Sequence, residues 1–230
     1  MGKLMNDKEL VAHEALKYIK NNSIVGLGTG STANLFIEAL AQKIQKDSLT
    51  IKVVASSTVS QIKALECGLD YISLDQIETI DTYVDGADEV TKNLEVLKGR
   101  GYDLVREKLL AQASDQFIVI GDKSKMVSKI GEKFPIPIEI SPIAWKITEK
   151  IIQKMAINCV LRPNNAGDAF AITSAGNYVL DCQFEYQNLK DLSNEIAKTS
   201  GVVEYGIFQD IANVALIAEN NQIETITLES

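Results

Sequence analysis

Histidine is nearly missing: His13 is the only one in 230 residues. A two-histidine metal site is therefore excluded, and any histidine-based triad would depend on this one residue, which lies in the amphipathic stretch Lys8 to Ile19. Cysteine is scarce too. Cys67, Cys159 and Cys182 are widely spaced and form no CxxC pair, so neither a disulfide framework nor a zinc site is expected, and the thiols read as reduced. No apolar run approaches the roughly 20 residues needed to cross a bilayer. The opening MGKLMNDKEL has no apolar block of the signal-peptide kind, and Asn6 stands where myristoylation would need Ser or Thr, so a cytoplasmic protein without membrane contact is expected. Positive charge is in deficit, with 23 Lys and Arg against 31 Asp and Glu and a formal charge of -8. Nucleic acid is not an expected partner, because phosphate backbones are held by basic clusters.

What is there is a chain 46% hydrophobic and 23% charged, enough to bury roughly 70% of its unfolded surface. Val11, Ala15, Tyr18 and Ile19 recur at helical spacing, and Ser23 to Leu27 reads as a buried strand. A helix marked by Ala33, Phe36, Leu40 and Ile44 follows, then strand Thr50 to Ala55, helix Val59 to Glu66 and short strands near Tyr71 and Thr82. This alternation, continued by helix Tyr102 to Ala113 and strand Phe117 to Gly121, predicts a Rossmann-like parallel sheet with ligands beyond the strands' C-terminal ends. Pro135, Pro137 and Pro142 then mark entry to a smaller α+β domain of ferredoxin-like pattern over residues 134–208. It comprises strand Ile136 to Ile140, helix Ile143 to Met155, strands Ile157 to Leu161, Phe170 to Thr173 and Tyr178 to Phe184, helix Leu189 to Thr199 and strand Val202 to Phe208. Residues 1–133 and 209–230 form the larger domain, to which Val214 to Ala218 and Glu224 to Leu228 return.

Gly26-Leu27-Gly28-Thr29-Gly30-Ser31-Thr32-Ala33 puts three glycines and then two hydroxyls at a helix start, a phosphate cradle in outline. Gly28, Gly30 and Ala33 also satisfy GxGxxA. The second strand, however, runs into Ser56-Ser57-Thr58 rather than an acid for a dinucleotide ribose, and no Walker lysine precedes Ser31-Thr32. A small phosphorylated metabolite is favoured over NAD or ATP. Asp85-Gly86-Ala87-Asp88-Glu89 clusters carboxylates at a strand's C-terminal end, able to bind a metal or sugar hydroxyls or to do acid-base work; with no histidine nearby, metal is the weaker choice. Lys98-Gly99-Arg100-Gly101 is a basic, flexible loop before the helix bearing Arg106-Glu107-Lys108, and Asp122-Lys123-Ser124-Lys125 follows another strand. Taken alone, both would be solvated charged segments.

In this order, the blocks GLGTGSTA, ASST, YVDGADEV, KGRGYDLVREK, DKSK, AGNYVLDCQF and GVVEYGIF resemble those of A-type ribose-5-phosphate isomerases. The resemblance implies a Rossmann-like domain plus a small α+β domain, a homodimer or homotetramer, no cofactor or metal, and a sugar phosphate as the small-molecule partner. By position, Thr29, Gly30, Ser31 and Thr32 would line the substrate loop, Asp85 and Asp88, with Gly86 and Ala87 between them, would meet the sugar, and Lys98, Gly99, Arg100 and Gly101 would complete the pocket. Glu107 would be the catalytic base, Lys98 the cation beside the developing oxyanion, Asp85 an aid to ring opening, and Lys125 a substrate-binding lysine. The family pattern has glycine where Arg100 stands, small residues at Tyr102 and Asp103, and Asp at Ser174. If the Arg100 position needs φ > 0, the arginine there is strained. The alternatives are a catalytically silent sugar-phosphate sensor, which would not require the base, and an amino-sugar phosphate isomerase-deaminase.

Overall fold

A computed structural model describes residues 5–228; the Met1-Gly2 start lies outside them. The first helix, α1 (Asp7–Ala15), opens on a capping box: the Asn6 side chain accepts from the Glu9 N–H, and the Glu9 carboxylate accepts from the Asn6 N–H. Then come β1 (Ser23–Leu27), α2 (Ser31–Asp47), β2 (Ile51–Ala55), α3 (Thr58–Glu66), β3 (Asp70–Tyr71), β4 (Ile80–Gly86), the short β5 (Glu89–Val90) and β6 (Val96–Leu97), α4 (Leu104–Ala113) and β7 (Ser114–Asp122). The chain continues through β8 (Ile136–Ile140), α5 (Trp145–Ile152), β9 (Asn158–Leu161), β10 (Tyr178–Gln183), α6 (Leu189–Ala197), β11 (Val202–Tyr205), β12 (Ile207–Phe208), β13 (Val214–Glu219) and β14 (Gln222–Thr227).

Seven strands form the main sheet in the order β14-β13-β7-β4-β1-β2-β3. All its pairs are parallel except the β13–β14 hairpin, whose two-residue turn, Asn220-Asn221, has φ of 54° and 61° as a type I′ turn requires. Strand order reverses between β1 and β4. In an open α/β sheet a ligand crevice forms at the C-terminal ends of the strands flanking such a switch point. Alternate residues feed two cores: Val84, Ile118 and Ile120 pack with Phe36 and Leu40 of α2, while Tyr83, Phe117 and Val119 pack on the opposite face with Leu104 and Leu110 of α4. Asp85, two residues beyond Tyr83, therefore points to the α4 side.

A four-stranded antiparallel sheet, β11-β8-β10-β9, carries α5 and α6 in βαββαβ order, which is the ferredoxin-like arrangement expected from the pattern. Its core gathers Ile138, Ile140, Ile152, Leu180, Leu192 and Ile196. Three expectations are corrected. Phe170 to Thr173 is not a strand: only a single bridge joins Phe170 to Pro163, and Thr173 turns to hydrogen-bond the buried Glu139. Val202 to Phe208 is not one strand but two, parted at Gly206. There β11 leaves the small sheet, and β12 joins β6 and β5 in a three-stranded sheet, where a Cβ at Gly206 would overlap the Lys98 carbonyl. Nor are all three thiols free: Cys159 and Cys182, directly opposite on β9 and β10 with Cα atoms 4.1 Å apart, are joined in a disulfide, while Cys67 is free. No sequence motif pairs two cysteines 23 residues apart; strand register does. Among the described residues, no helix is long and apolar enough to cross a membrane.

Candidate active site

The loop after β1 and the end of β4 meet at the switch point. Gly28 has no room for a side chain, because a Cβ there would overlap the Asp85 carboxylate, so glycine is what lets these strand ends touch. Gly30 is the N-cap of α2 and offers no side-chain cap, so the first-turn N–H groups, with the Ser31 and Thr32 hydroxyls, form a seat for an anion. Thr29 is anchored from behind by three serines: its hydroxyl lies 2.7 Å from Ser57 Oγ and 2.9 Å from the Oγ atoms of both Ser56 and Ser60. Ser60 in turn donates to the Gly28 carbonyl at 2.6 Å. The serines found where a dinucleotide site needs an acid thus brace the loop.

Three buried charges stand beside it. Lys98 Nζ is 2.8 Å from Asp85 Oδ2 and 3.5 Å from Glu107 Oε1, and it donates to the Gly86 carbonyl at 2.9 Å. Asp85 also accepts from the Tyr83 hydroxyl and from the backbone N–H groups of Thr29 and Gly86. Burial pushes the Glu107 carboxyl up to about 7, with Lys98 pulling against the rise and Asp85 and Asp88 adding to it. Burial alone would lower the Lys98 ammonium, but Asp85 and Glu107 outweigh it and hold the group above its ordinary value. Tyr83 is raised well above its own, through burial and then the Asp85 charge, and so stays a neutral donor. Glu107 Oε2 is buried and has no hydrogen-bond partner. A carboxylate held near neutral affinity with one oxygen unengaged is equipped to take up and return a proton.

A cleft of about 280 Å³ opens over these groups, lined by Thr29, Gly30, Ser31, Thr32, Gly86, Ala87, Asp88, Lys98, Gly99, Arg100, Gly101, Glu107 and Lys125. These are the residues singled out from the sequence, with one exception. Asp85 is fully buried and absent from the wall: facing α4, it is saturated by hydrogen bonds and reaches the site through Lys98, which leaves Asp88 and Glu107 as the carboxylates on the wall. Sequence reasoning missed Lys8. This residue of α1 lines the cleft and donates to Ser31 Oγ at 2.9 Å, yet on its helix it looks like any solvated lysine.

Arg100 also differs from expectation. The left-handed residue of its loop is Gly99, at φ 96°; Arg100 is not among the non-glycine residues of positive φ, so it adopts an ordinary conformation without strain. Its guanidinium lies 3.9 Å from the centroid of the Phe134 ring, and its N–H donates to Asp88 Oδ2 at 3.3 Å. Because that side chain is held on an aromatic face, Arg100→Gly should change kcat/KM by less than about tenfold, or 1.4 kcal/mol in barrier height. Activity appearing only in the glycine variant would show instead that the arginine blocks the cleft. Tyr102 and Ser174, two further departures from the family pattern, meet each other: the Ser174 N–H donates to the Tyr102 carbonyl at 2.9 Å, and the Tyr102 hydroxyl donates to Asn165 Oδ1 at 3.0 Å.

Fold and site together define an α/β enzyme of the acid-base class, with an anion seat and a buried carboxylate opening on one cleft at a topological switch point. Residues 52–222 match the family model of ribose 5-phosphate isomerase A (phosphoriboisomerase A). A relative named ribose-5-phosphate isomerase A from Thermococcus kodakarensis is 40% identical over 91% of this chain and 93% of its own. One from Bacillus mycoides is 37% identical over 96% and 99%. Among solved structures, ribose 5-phosphate isomerase A from Methanocaldococcus jannaschii superposes with a TM-score of 0.91 at 34% identity, covering 96% of this chain and 98% of that one. A D-ribose-5-phosphate isomerase in complex with phospho-erythronic acid gives 0.92 at 36% identity, covering 97% and 100%. The chain belongs to the ribose 5-phosphate isomerase A family.

Proposed function

We propose that this chain interconverts D-ribose 5-phosphate and D-ribulose 5-phosphate, with Glu107 moving one proton between C2 and C1 through an enediolate. The observation that carries the reading is Glu107 itself: a buried carboxyl, raised to about 7, with an unpartnered oxygen, beside Lys98 in the cleft that also holds the anion seat. Glu107 takes the C2 proton of the open-chain aldose and returns it to C1. The Lys98 charge, held in place by Asp85, stabilises the oxyanion that forms in between. Asp88 handles sugar hydroxyls and assists ring opening. A phosphorylated four-carbon aldonic acid, the ligand of one relative, carries a planar anionic carboxylate in place of such an enediolate, which supports chemistry of this kind on a sugar phosphate. A silent sensor would have no use for the raised carboxyl.

The phosphate takes the Gly30–Thr32 helix start, flanked by Lys8 and Lys125. An acidic chain needs such local positive charge to hold a dianion, and a charge-assisted hydrogen bond is lost with either lysine. Lys8→Ala and Lys125→Ala should each raise KM about tenfold with kcat nearly unchanged, since the phosphate contact is made equally in ground and transition states. Tight binding retained in either variant would return that lysine to the solvated surface.

The reading also carries a place in the non-oxidative pentose phosphate pathway, in the cytoplasm, and a homodimer or homotetramer. Ile143, Ile147, Val160, Phe170 and Ile172, all exposed within residues 134–208, support assembly. The test of the function is to incubate the purified chain with ribose 5-phosphate in deuterated water and follow ribulose 5-phosphate and deuterium at the exchanging carbon. Sugar phosphate binding with neither product nor exchange would favour the sensor.

A further inference from the structure

Arg162 follows β9 in the small sheet and is only 9% exposed, yet it is tied to the cleft from outside the main sheet. Its Nε and Nη2 grip the two carboxylate oxygens of Asp181, on neighbouring β10, at 2.8 and 2.5 Å. The remaining nitrogen, Nη1, donates to three successive carbonyls of the loop that follows Lys98: Gly99 at 2.9 Å, Arg100 at 3.3 Å and Gly101 at 2.9 Å. The two N–H bonds of Nη1 are thus shared among three acceptors, turning all three peptide planes toward one guanidinium. The Arg100 N–H of the same stretch donates to Asp88.

We propose that Arg162 is a positioning residue for the isomerisation, which through residues 99–101 sets where Lys98 and Asp88 stand at the reacting end of the cleft. The inference rests on the isomerase reading above. Asp181 returns a full negative charge to the guanidinium, so what Arg162 delivers to the loop is geometry rather than field. Lysine cannot replace it: one compact ammonium has no planar fork with which to hold a carboxylate bidentately and still reach three carbonyls. The anion seat at Gly30–Thr32 belongs to β1 and α2 and touches neither Arg162 nor Asp181, so phosphate binding should not depend on the pair.

The test compares the parent, Arg162→Lys and Asp181→Asn as full chains, measuring kcat, KM, inhibition by inorganic phosphate, and Tm. Displacement of a catalytic constellation by about 1 Å costs on the order of 100-fold, so kcat of Arg162→Lys should fall by about 10- to 100-fold while KM and phosphate inhibition stay within about threefold. Asp181→Asn, which keeps the guanidinium but loosens it, should show a smaller loss of the same kind. A lower Tm with parent-like kcat per folded molecule, or a change confined to KM, would overturn the proposal. Should Arg162→Lys fail to fold, a parent-like kcat in Asp181→Asn overturns it alone, and a reduced kcat at parent-like KM supports it. A parent that binds phosphate but converts no sugar would sink the isomerase reading instead, and the parent assay shows which of the two has failed.

Discussion

Glu107→Gln should lower kcat by about 100- to 10,000-fold, the usual share of a positioned general base, with KM little changed. The glutamine keeps the shape of the side chain and removes the proton acceptor. In the parent, kcat/KM should decline as pH falls through about 7, because protonated Glu107 cannot accept the C2 proton. The same carboxyl has a consequence for stability, and its sign is opposite to that of an ordinary ion-paired acid. Folding raises this pKa from 4.5 to about 7, so between those values the folded chain holds a proton that the unfolded chain has released. Stability linked to Glu107 is therefore full at low pH and is lost as pH rises through that window. At pH 8, Glu107→Gln should unfold at a Tm no lower than the parent's. A charge carried at a cost to folding is what the proton-shuttle reading expects of Glu107. Near-parental kcat in this variant would rule out the proton shuttle.

Lys98→Met should damage both catalysis and folding. Its ammonium is the cation that Asp85 and Glu107 share, and removing it leaves Asp85 a buried carboxylate without its counter-ion. Breaking a buried pair from one side costs about 3–5 kcal/mol. In a chain of this size each kcal/mol lowers Tm by about 2–4 °C, so a drop near 10 °C is expected. Loss of electrostatic stabilisation of the oxyanion should reduce kcat by about 100- to 1,000-fold. Because Lys98 opposes the rise of the Glu107 pKa, any residual activity should lose its acid limb at a higher pH than the parent's about 7. A Lys98→Met protein with a parental pH profile and kcat would remove Lys98 from the reaction.

Much of the fold was legible because the signals for it are local. The apolar run Ser23 to Leu27 and the segment Ile136 to Ile140 are strands with those very bounds, since period and flanking turn residues lie within the segment itself. The glycine loop and helix start of the candidate anion seat were legible for the same reason, being one stretch of chain. Phe170 to Thr173 misled because β-branched and aromatic residues mark a strand only if a partner strand lies alongside, and none does beyond the Pro163 bridge. Glu107 by itself was not legible. Between Arg106 and Lys108 it looks like any charged helical residue, and only the resemblance to a family singled it out.

The sequence alone determined the alternation of strands and helices, the glycine loop at the mouth of the sheet, the order of the blocks that resemble the family and the absence of any two-histidine metal site. Tertiary structure alone decided which charges are chemically unusual. Desolvation depends on what packs against a side chain from other parts of the chain: α4 laid on the Tyr83–Asp85 face of β4 buries Glu107, and the pairing of β6 with β5 and β12 holds Lys98 within 2.8 Å of Asp85. By the same logic it brought Lys8 from the first helix to the anion seat, turned Asp85 away from the cleft, paired Cys159 with Cys182 across two strands, and carried Arg162 from the small sheet to the loop beside Lys98. Proximity across separations of 13 to 63 residues leaves no period or motif in a sequence, because it is set by how whole layers pack rather than by neighbouring residues.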